Sequence, residues 1–254
     1  MSLDLPQVAA AIADRLPDDA LFVVSTGAGM SRESGIPTFR GAEGIWRQYR
    51  AEEVATPQAF RLAPRLFWEF NDHLRQLVHD ATPNAGHVAL AELEWALAPR
   101  VQARLVTQNI DRLHEAAGST GVRHLHGDII RVVCPGCGFA TDDFPVPAPE
   151  LPPVCECGRL LRPDIVLFGE ALPERELTEA FAWAETCDVM LVVGTSVNVQ
   201  PAASLPFVAR EHGALVVEVN PEATILTGVA DLSLRGTAAQ VLPALVAAII
   251  AHQE

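Results

Sequence analysis

Three groups of residues have the types and spacing to do chemistry. In the first, an apolar run over 21–24 breaks into Gly27-Ala28-Gly29, with Ser31 and Glu33 just beyond. A strand that ends in Gly-x-Gly presents backbone N–H groups to a phosphate, although the same pattern also serves as a plain tight turn. The loop Gly35-Ile36-Pro37-Thr38-Phe39-Arg40 then places an aromatic face and a phosphate-pairing guanidinium beside that turn. A dehydrogenase fingerprint wants a third glycine where this chain has Arg32, and an acidic residue ending a second strand ~20 residues on; both are missing, which disfavours hydride transfer.

The second group lies at the ends of two later segments. A strand over 101–106 closes in Thr107-Gln108-Asn109-Ile110-Asp111, and polar groups at the carboxyl end of a strand point into the ligand crevice of an open α/β sheet. Their amide and carboxylate suit ribose hydroxyls and a carboxamide. His126, just before Gly127, has the near-neutral pKa needed to take a proton from a hydroxyl; His124 is expected to be its exposed neighbour. His87 opens a helix that Asn84 caps, so it reads as structural. In the third group, Cys134-x-x-Cys137 and Cys155-x-Cys157, each followed by a glycine, can converge on Zn²⁺ as four thiolates with no open position. Cys187 stands alone in an apolar context and reads as core.

These motifs, in this order, resemble the sirtuins, the NAD-dependent protein-lysine deacylases. The sirtuin signature Gly-Ala-Gly-x-Ser-x-x-Ser-Gly-Ile-Pro-Asp-Phe-Arg matches residues 27–40 except at Thr38, a substitution shared with the branch that holds bacterial deacylases and the mitochondrial desuccinylase. Gln108-Asn109-Ile110-Asp111, His126-Gly127 and Leu161-Arg162-Pro163-Asp164-Ile165-Val166-Leu167-Phe168-Gly169-Glu170 resemble three further sirtuin motifs. The family's second cysteine pair has two intervening residues, whereas here Glu156 stands alone.

The resemblance implies NAD as a consumed co-substrate, structural zinc on Cys134, Cys137, Cys155 and Cys157, and acylated-lysine proteins as partners. His126 would be the base, and Gly27, Ala28 and Gly29 would cradle the phosphates. Ser31, Thr38, Phe39, Arg40, Gln108, Asn109 and Asp111 would complete the cofactor site, with Gly194, Thr195, Ser196, Asn220, Glu222 and Ala238 from the second half of the chain. Residues 161–170 would pair with the substrate backbone as an added strand. Val166 and Phe168 would line the acyl-lysine tunnel, with Gly169 and Glu170 beside them. Sirtuins that take acidic acyl groups carry Tyr-x-x-Arg on the helix near residue 70. Here those positions are Asn71 and Leu74, and Arg75 is one place late, a rotation of ~100°, so neutral acyl groups are expected over succinyl. Protein ADP-ribosyl transfer, or a non-catalytic NAD- and zinc-binding module, are the competing readings.

The elements that must position these residues alternate. Helices are expected over 5–16, 87–98, 177–185 and 241–252, and strands over 101–106, 189–193 and 214–219 besides the first. The run Val189-Met190-Leu191-Val192-Val193 has the continuous apolarity of a parallel strand covered on both faces. The fold class is therefore α/β: a Rossmann-like doubly wound parallel sheet over 1–40, 84–130 and 164–254. A small lobe would combine a helical insertion, 41–83, with a zinc-binding module, 131–163. Aromatics of the insertion read mainly as packing.

Bulk properties narrow the partners. Among 254 residues, 18 Lys+Arg against 32 Asp+Glu give a net charge of −14, which speaks against nucleic acid. The first residues lack a basic n-region and no apolar run reaches the ~20 residues of a membrane helix, so a cytoplasmic protein with no membrane partner is expected.

Overall fold

The computed structural model describes residues 4–39, 44–45 and 49–253. Arg40, expected at the cofactor site, lies outside them. Six parallel strands form the main sheet: β1 (Leu21–Thr26), β2 (Gln102–Thr107), β3 (Arg123–His124), β7 (Val189–Val193), β8 (Leu215–Val219) and β9 (Leu232–Leu234). Their order is β3-β2-β1-β7-β8-β9, so the chain winds outward from β1 in one direction and from β7 in the other. That reversal at the β1/β7 boundary is the switch point at which open α/β sheets bind ligands.

Alternation along β1 separates the two cores. Phe22 and Val24 face one side, where α1 (Leu5–Ala13), α5 (Ala85–Leu97) and α9 (Ala238–Gln253) cover the sheet. Val23 faces the other, beneath α7 (Glu174–Thr186) and α8 (Leu205–Glu211). All five residues of β7 are buried, as a strand with helices on both faces requires.

A second, antiparallel sheet has the order β5-β4-β6, with β4 (Gly127–Val133), β5 (Ala140–Thr141) and β6 (Arg162–Ile165). It begins at Gly127, inside a segment assigned from sequence to the large unit. Three helices, α2 (Ala51–Val54), α3 (Pro57–Leu62) and α4 (Pro64–Asp80), pack against it. Phe67 and Trp68 of α4 bury themselves with Val132, Cys134 and Leu161, and Trp68 Nε1 donates to the Leu161 carbonyl at 2.8 Å. Phe70, Leu74 and Val78 pack with Ile129 on another side of the same helix. The aromatics of this region are chiefly packing, as their helical spacing indicated.

After β1 the chain makes two 3-10 turns, over Ala28–Met30 and Arg32–Ser34, instead of a helix; Gly35 at φ 90° ends the second. The reason for the glycines is steric. A Cβ on Gly27 would meet Thr195 Cβ at 2.8 Å, and one on Gly29 would meet Gly194 Cα at 2.8 Å. Gly194 itself sits at φ 62°, where a Cβ would lie 2.5 Å from the Met30 nitrogen. Backbone thus crosses backbone where the loops after β1 and β7 meet. Gly194→Ala is expected to cost about 2–4 kcal/mol of unfolding free energy, measured by chemical denaturation, because strain and collision act together; a loss under about 0.5 kcal/mol contradicts this account.

Candidate active site

A cavity of about 920 Å³ opens over the carboxyl ends of β1, β7 and β8 and runs toward the small sheet. Gly27, Ala28, Gly29, Thr38 and Phe39 line it from the first loop, and Gln108, Asn109 and His126 from the β2 and β3 ends. Gly194, Thr195, Ser196, Asn220 and Glu222 close the far wall. The amides of Gly27, Gly29, Met30 and Ser31 donate to the carbonyls of Val193, Gly194, Gly27 and Ala28. These four N–H groups are therefore spent within the protein, where the loop packs closely against the turn after β7, while Ala28 lies on the cavity wall between them.

His126 is held from behind. Its Nδ1 lies 2.7 Å from the Gln108 carbonyl, which can only accept, so Nδ1 carries the proton and Nε2 is the basic nitrogen. Burial pushes its pKa below the ordinary histidine value, partly offset by that hydrogen bond, so the ring is neutral at neutral pH. Gly127 follows at φ 80°, where a Cβ would lie 2.1 Å from the Asp164 carbonyl oxygen. The His-Gly pair is thus needed where β4 turns against β6.

Asn109 and Asp111 belong to one buried network. Asn109 Nδ2 donates to Ser31 Oγ at 3.0 Å, and Ser31 Oγ donates to Asp111 Oδ2 at 2.8 Å. Asp111 also accepts the Leu113 amide at 3.1 Å. Burial raises the Asp111 pKa while these two donors restrain the rise. Ser31 and Asp111, both almost wholly buried, orient Asn109 from behind the cavity wall. Beneath them Thr26 joins Thr107 at 2.9 Å and His114 at 3.0 Å. Asn84 caps α5, donates to the Met30 carbonyl at 2.8 Å, and gives its own amide to His87 Nδ1. His87, its pKa lowered by burial to about 4, is a neutral capping residue.

The far wall is braced rather than free. Asn220 Nδ2 donates to the Thr195 carbonyl at 2.9 Å, and Gln108 Nε2 to Thr195 Oγ1 at 3.2 Å. Val197 is held at φ 56°, a costly conformation for a β-branched residue, with its amide on Thr195 Oγ1. Under this wall the buried Glu218 carboxylate accepts from Thr224, Thr227 and Ser233 and pairs with Arg235 at 2.9 Å.

At the other end, Asn71, Leu74, Val166, Phe168, Gly169 and Glu170 all line the cavity. Asn71 Nδ2 donates to the carbonyls of Phe67 and Val54, and Leu74 is 5% exposed. Arg75 is fully buried and points away: it donates to Asp72 and to the Phe144 and Pro145 carbonyls, with its guanidinium 5.3 Å from the Phe144 ring. Glu170 accepts both Nη atoms of Arg162, at 2.7 and 2.9 Å, and the Leu167 amide, so it staples its own loop.

The four paired cysteines converge. Their sulfurs lie within 4.8 Å of one another, with Cys134–Cys157 at 3.5 Å and Cys137–Cys155 at 3.7 Å. Tetrahedral Zn–S bonds of ~2.3 Å place sulfurs ~3.8 Å apart, so four thiolates here fit a closed structural zinc site. The single-residue knuckle still turns: the Gly158 amide reaches the Cys155 carbonyl at 2.8 Å, with Gly158 at φ 82°.

Residues 27–201 match the model of the Sir2 family. The chain belongs to the Sir2 family. It is 51% identical over 220 residues to a protein of Caldanaerobacter subterraneus subsp. tengcongensis named NAD-dependent protein deacylase 1, covering 86% of this chain and 90% of that one. A solved Sir2 homologue in complex with NAD superposes with a TM-score of 0.86 at 44% identity, covering 98% of this chain and 94% of that one. A Sir2 protein solved with a deacetylated p53 peptide and 3′-O-acetyl ADP ribose gives 0.85 at 34% identity, covering 93% and 96%.

Four placements in this Sir2 chain differ from the sequence expectation, counting Ser31 and Asp111, which stand behind the cavity wall. Ala238 is not on the cavity; it is buried at the start of α9, where the close approach of Gly86 meets its backbone, and Thr237 lines the wall instead. His124 is half-buried and hydrogen-bonded rather than exposed. The sequence reading also missed Asn198, Val199 and Gln200, which line the cavity beyond Ser196. The rule that ligands sit outside the carboxyl ends of strands, extended a few residues past β7, would have found them. Purified protein is expected to hold about one zinc per chain by atomic emission, and Cys137→Ser to lose it together with the folding of the small sheet; retention of metal and fold in that variant overturns the site.

Proposed function

We propose that this chain removes acyl groups from protein lysines with NAD as consumed co-substrate, releasing nicotinamide, free lysine and O-acyl-ADP-ribose. The carrying observation is His126, neutral through burial, its Nδ1 tied to the Gln108 carbonyl and its Nε2 left as the base on the cavity wall. When bound, NAD would supply an electrophilic ribose carbon to the acyl oxygen of the substrate, with nicotinamide as leaving group and one water consumed in freeing the lysine from the acyl group. His126 Nε2 would accept the proton of a ribose hydroxyl. Asn109, fixed through Ser31 and Asp111, orients the nicotinamide end, while Phe39 and Thr38 cover it. The names of the relatives and the peptide complex of the Sir2 neighbour support acylated-lysine proteins as substrates.

The substrate backbone adds to residues 161–170. The amides of Val166 and Phe168 are already given to the carbonyls of His126 and Ala55, so an added strand takes its donors from elsewhere in this segment. Neutral short acyl groups are preferred to succinyl, because Leu74 and the committed amide of Asn71 offer no cation, and Arg75 is buried elsewhere. The same reading places a nucleotide-binding unit over 1–40, 84–126 and 166–254, with a small lobe from 41–83 and 127–165. Residues 127–130 and 164–165 move to the small lobe because β4 starts at Gly127 and β6 runs to Ile165. Four thiolate ligands suit a reducing, cytoplasmic setting. Among the described residues no helix is long and apolar enough to cross a membrane.

Mass spectrometry of acetyl-, butyryl- and succinyl-lysine peptides with and without NAD tests this proposal. His126→Ala is expected to lose at least ~10²-fold in deacylation while keeping NAD affinity within about threefold; near wild-type turnover would falsify the role. Succinyl peptides should show kcat/KM at least about tenfold below acetyl, and parity refutes the specificity reading. Because the His126 pKa is lowered, the acid limb of kcat/KM should have its midpoint below 6.5, the ordinary histidine value.

A further inference from the structure

Two histidines, two residues apart, grip consecutive carbonyls of the loop that follows β2. His126 Nδ1 holds the Gln108 carbonyl at 2.7 Å, and His124 Nδ1 holds the Asn109 carbonyl at 3.3 Å. Their other nitrogens part company. His126 keeps Nε2 as a base, whereas His124 Nε2 meets the Glu115 carboxylate at 2.7 Å. A carbonyl and an ionised carboxylate can only accept hydrogen bonds, so both nitrogens of His124 must donate, and a ring with two N–H groups is a cation. We propose that His124 is a positively charged positioning residue: as an imidazolium clamped by Glu115, it fixes the Gln108–Asp111 loop for the nicotinamide end of NAD. This rests on the deacylase reading for the identity of the ligand but not for the charge of the ring.

The surroundings fit a cation. Asp111 from the same loop and Asp128 from β4 face the ring with negative charge. His114, on α6 (Leu113–Ala116) beside Glu115, is kept neutral by burial. The nearby arginines are matched: Arg112 pairs with Asp128 and Asp142, and Arg123 and Arg175 with Glu179. Glu176 lines the same outer groove, a separate cavity of about 670 Å³ that gives the ring access to solvent protons. Burial lowers the His124 pKa, but the Glu115 hydrogen bond and charge, the Asn109 carbonyl and Asp128 outweigh it, so the pKa lies above 6.5. For a group raised on folding, the clamp is complete below 6.5 and is lost as pH rises through the raised value.

The consequence is an alkaline weakening of NAD binding that is independent of the base. The test combines side-chain ¹H–¹³C titration of the histidines with kcat and KM for NAD across pH 6 to 9.5, in the wild type, His124→Gln and Glu115→Gln. His124, assigned by its loss in H124Q, should titrate above 6.5, and E115Q should move its midpoint down. Wild-type KM for NAD should rise about tenfold through that midpoint, with kcat changing less, and H124Q should show the raised KM at every pH with no step. A His124 midpoint at or below 6.5, or a step that persists in H124Q, overturns the proposal. Should H124Q fail to fold, E115Q with its ring intact carries the same comparison. If the chain proves not to deacylate, calorimetric Kd for NAD replaces KM and the same step is expected, so the two readings fail separately.

Discussion

Backbone against backbone, with no Cβ between, is the contact on which the cleft depends. Gly27 and Gly29 lie on Gly194 and Thr195 so closely that a methyl group at any of the three glycines would collide with main-chain or Cβ atoms. The crossing draws the loops after β1 and β7 together at the sheet's switch point, and fixes the near end of the cavity. Only from there can the first loop run toward the small sheet. The price is four amides turned inward, so anion recognition on this side must come from other groups than the N–H groups of 27, 29, 30 and 31.

From that seam a chain of hydrogen bonds carries position outward. Asn84 ties α5 to the Met30 carbonyl and Ser34, Ser31 joins Asn109 to Asp111, and Gln108 reaches both His126 and Thr195. The links span 2.7–3.2 Å and are buried or part-buried, and polar networks of this kind specify one geometry when fully satisfied. The small sheet is attached at the same place, because β4 begins one residue after His126 and the Val166 amide closes on the His126 carbonyl. Movement of the small sheet is therefore felt directly at the base.

Much of this was legible from residue types. The apolar runs before Gly27, Thr107 and Gly194 end in polar or glycine-rich loops, and those loops line the cavity. The cysteine spacing foretold the convergence of sulfurs. Steric roles were not legible: a glycine that admits a phosphate and one that admits another backbone look identical in sequence, since both answer to the lack of a Cβ. Ala238 was misplaced because nothing in its neighbours reveals that Gly86 covers it. His124 was taken as exposed because its partner, Glu115, lies on a four-residue helix whose position depends on how the loop after β2 folds back. Gly127, read as the companion of a catalytic histidine, also turned out to be forced by the approach of Asp164.

The burial of Arg75 bears on how this helix can diverge. The guanidinium is a strut: it fastens α4 to the 144–145 turn and is sandwiched near Trp68 and Phe144. An arginine at position 74 would enter the cavity on another side of the helix, with no help from Asp72, which is already committed to Arg75 and to the Ala148 amide. A bulky residue at 71 would release the carbonyls of Val54 and Phe67. A carboxylate-binding pair at 71 and 74 therefore needs more than two new side chains, because the hydrogen bonds that Asn71 gives to the Val54 and Phe67 carbonyls have to be replaced as well. The strut thus couples two separate stretches of the small lobe, so the helix that lines one end of the cavity takes its position from the 144–145 turn as well.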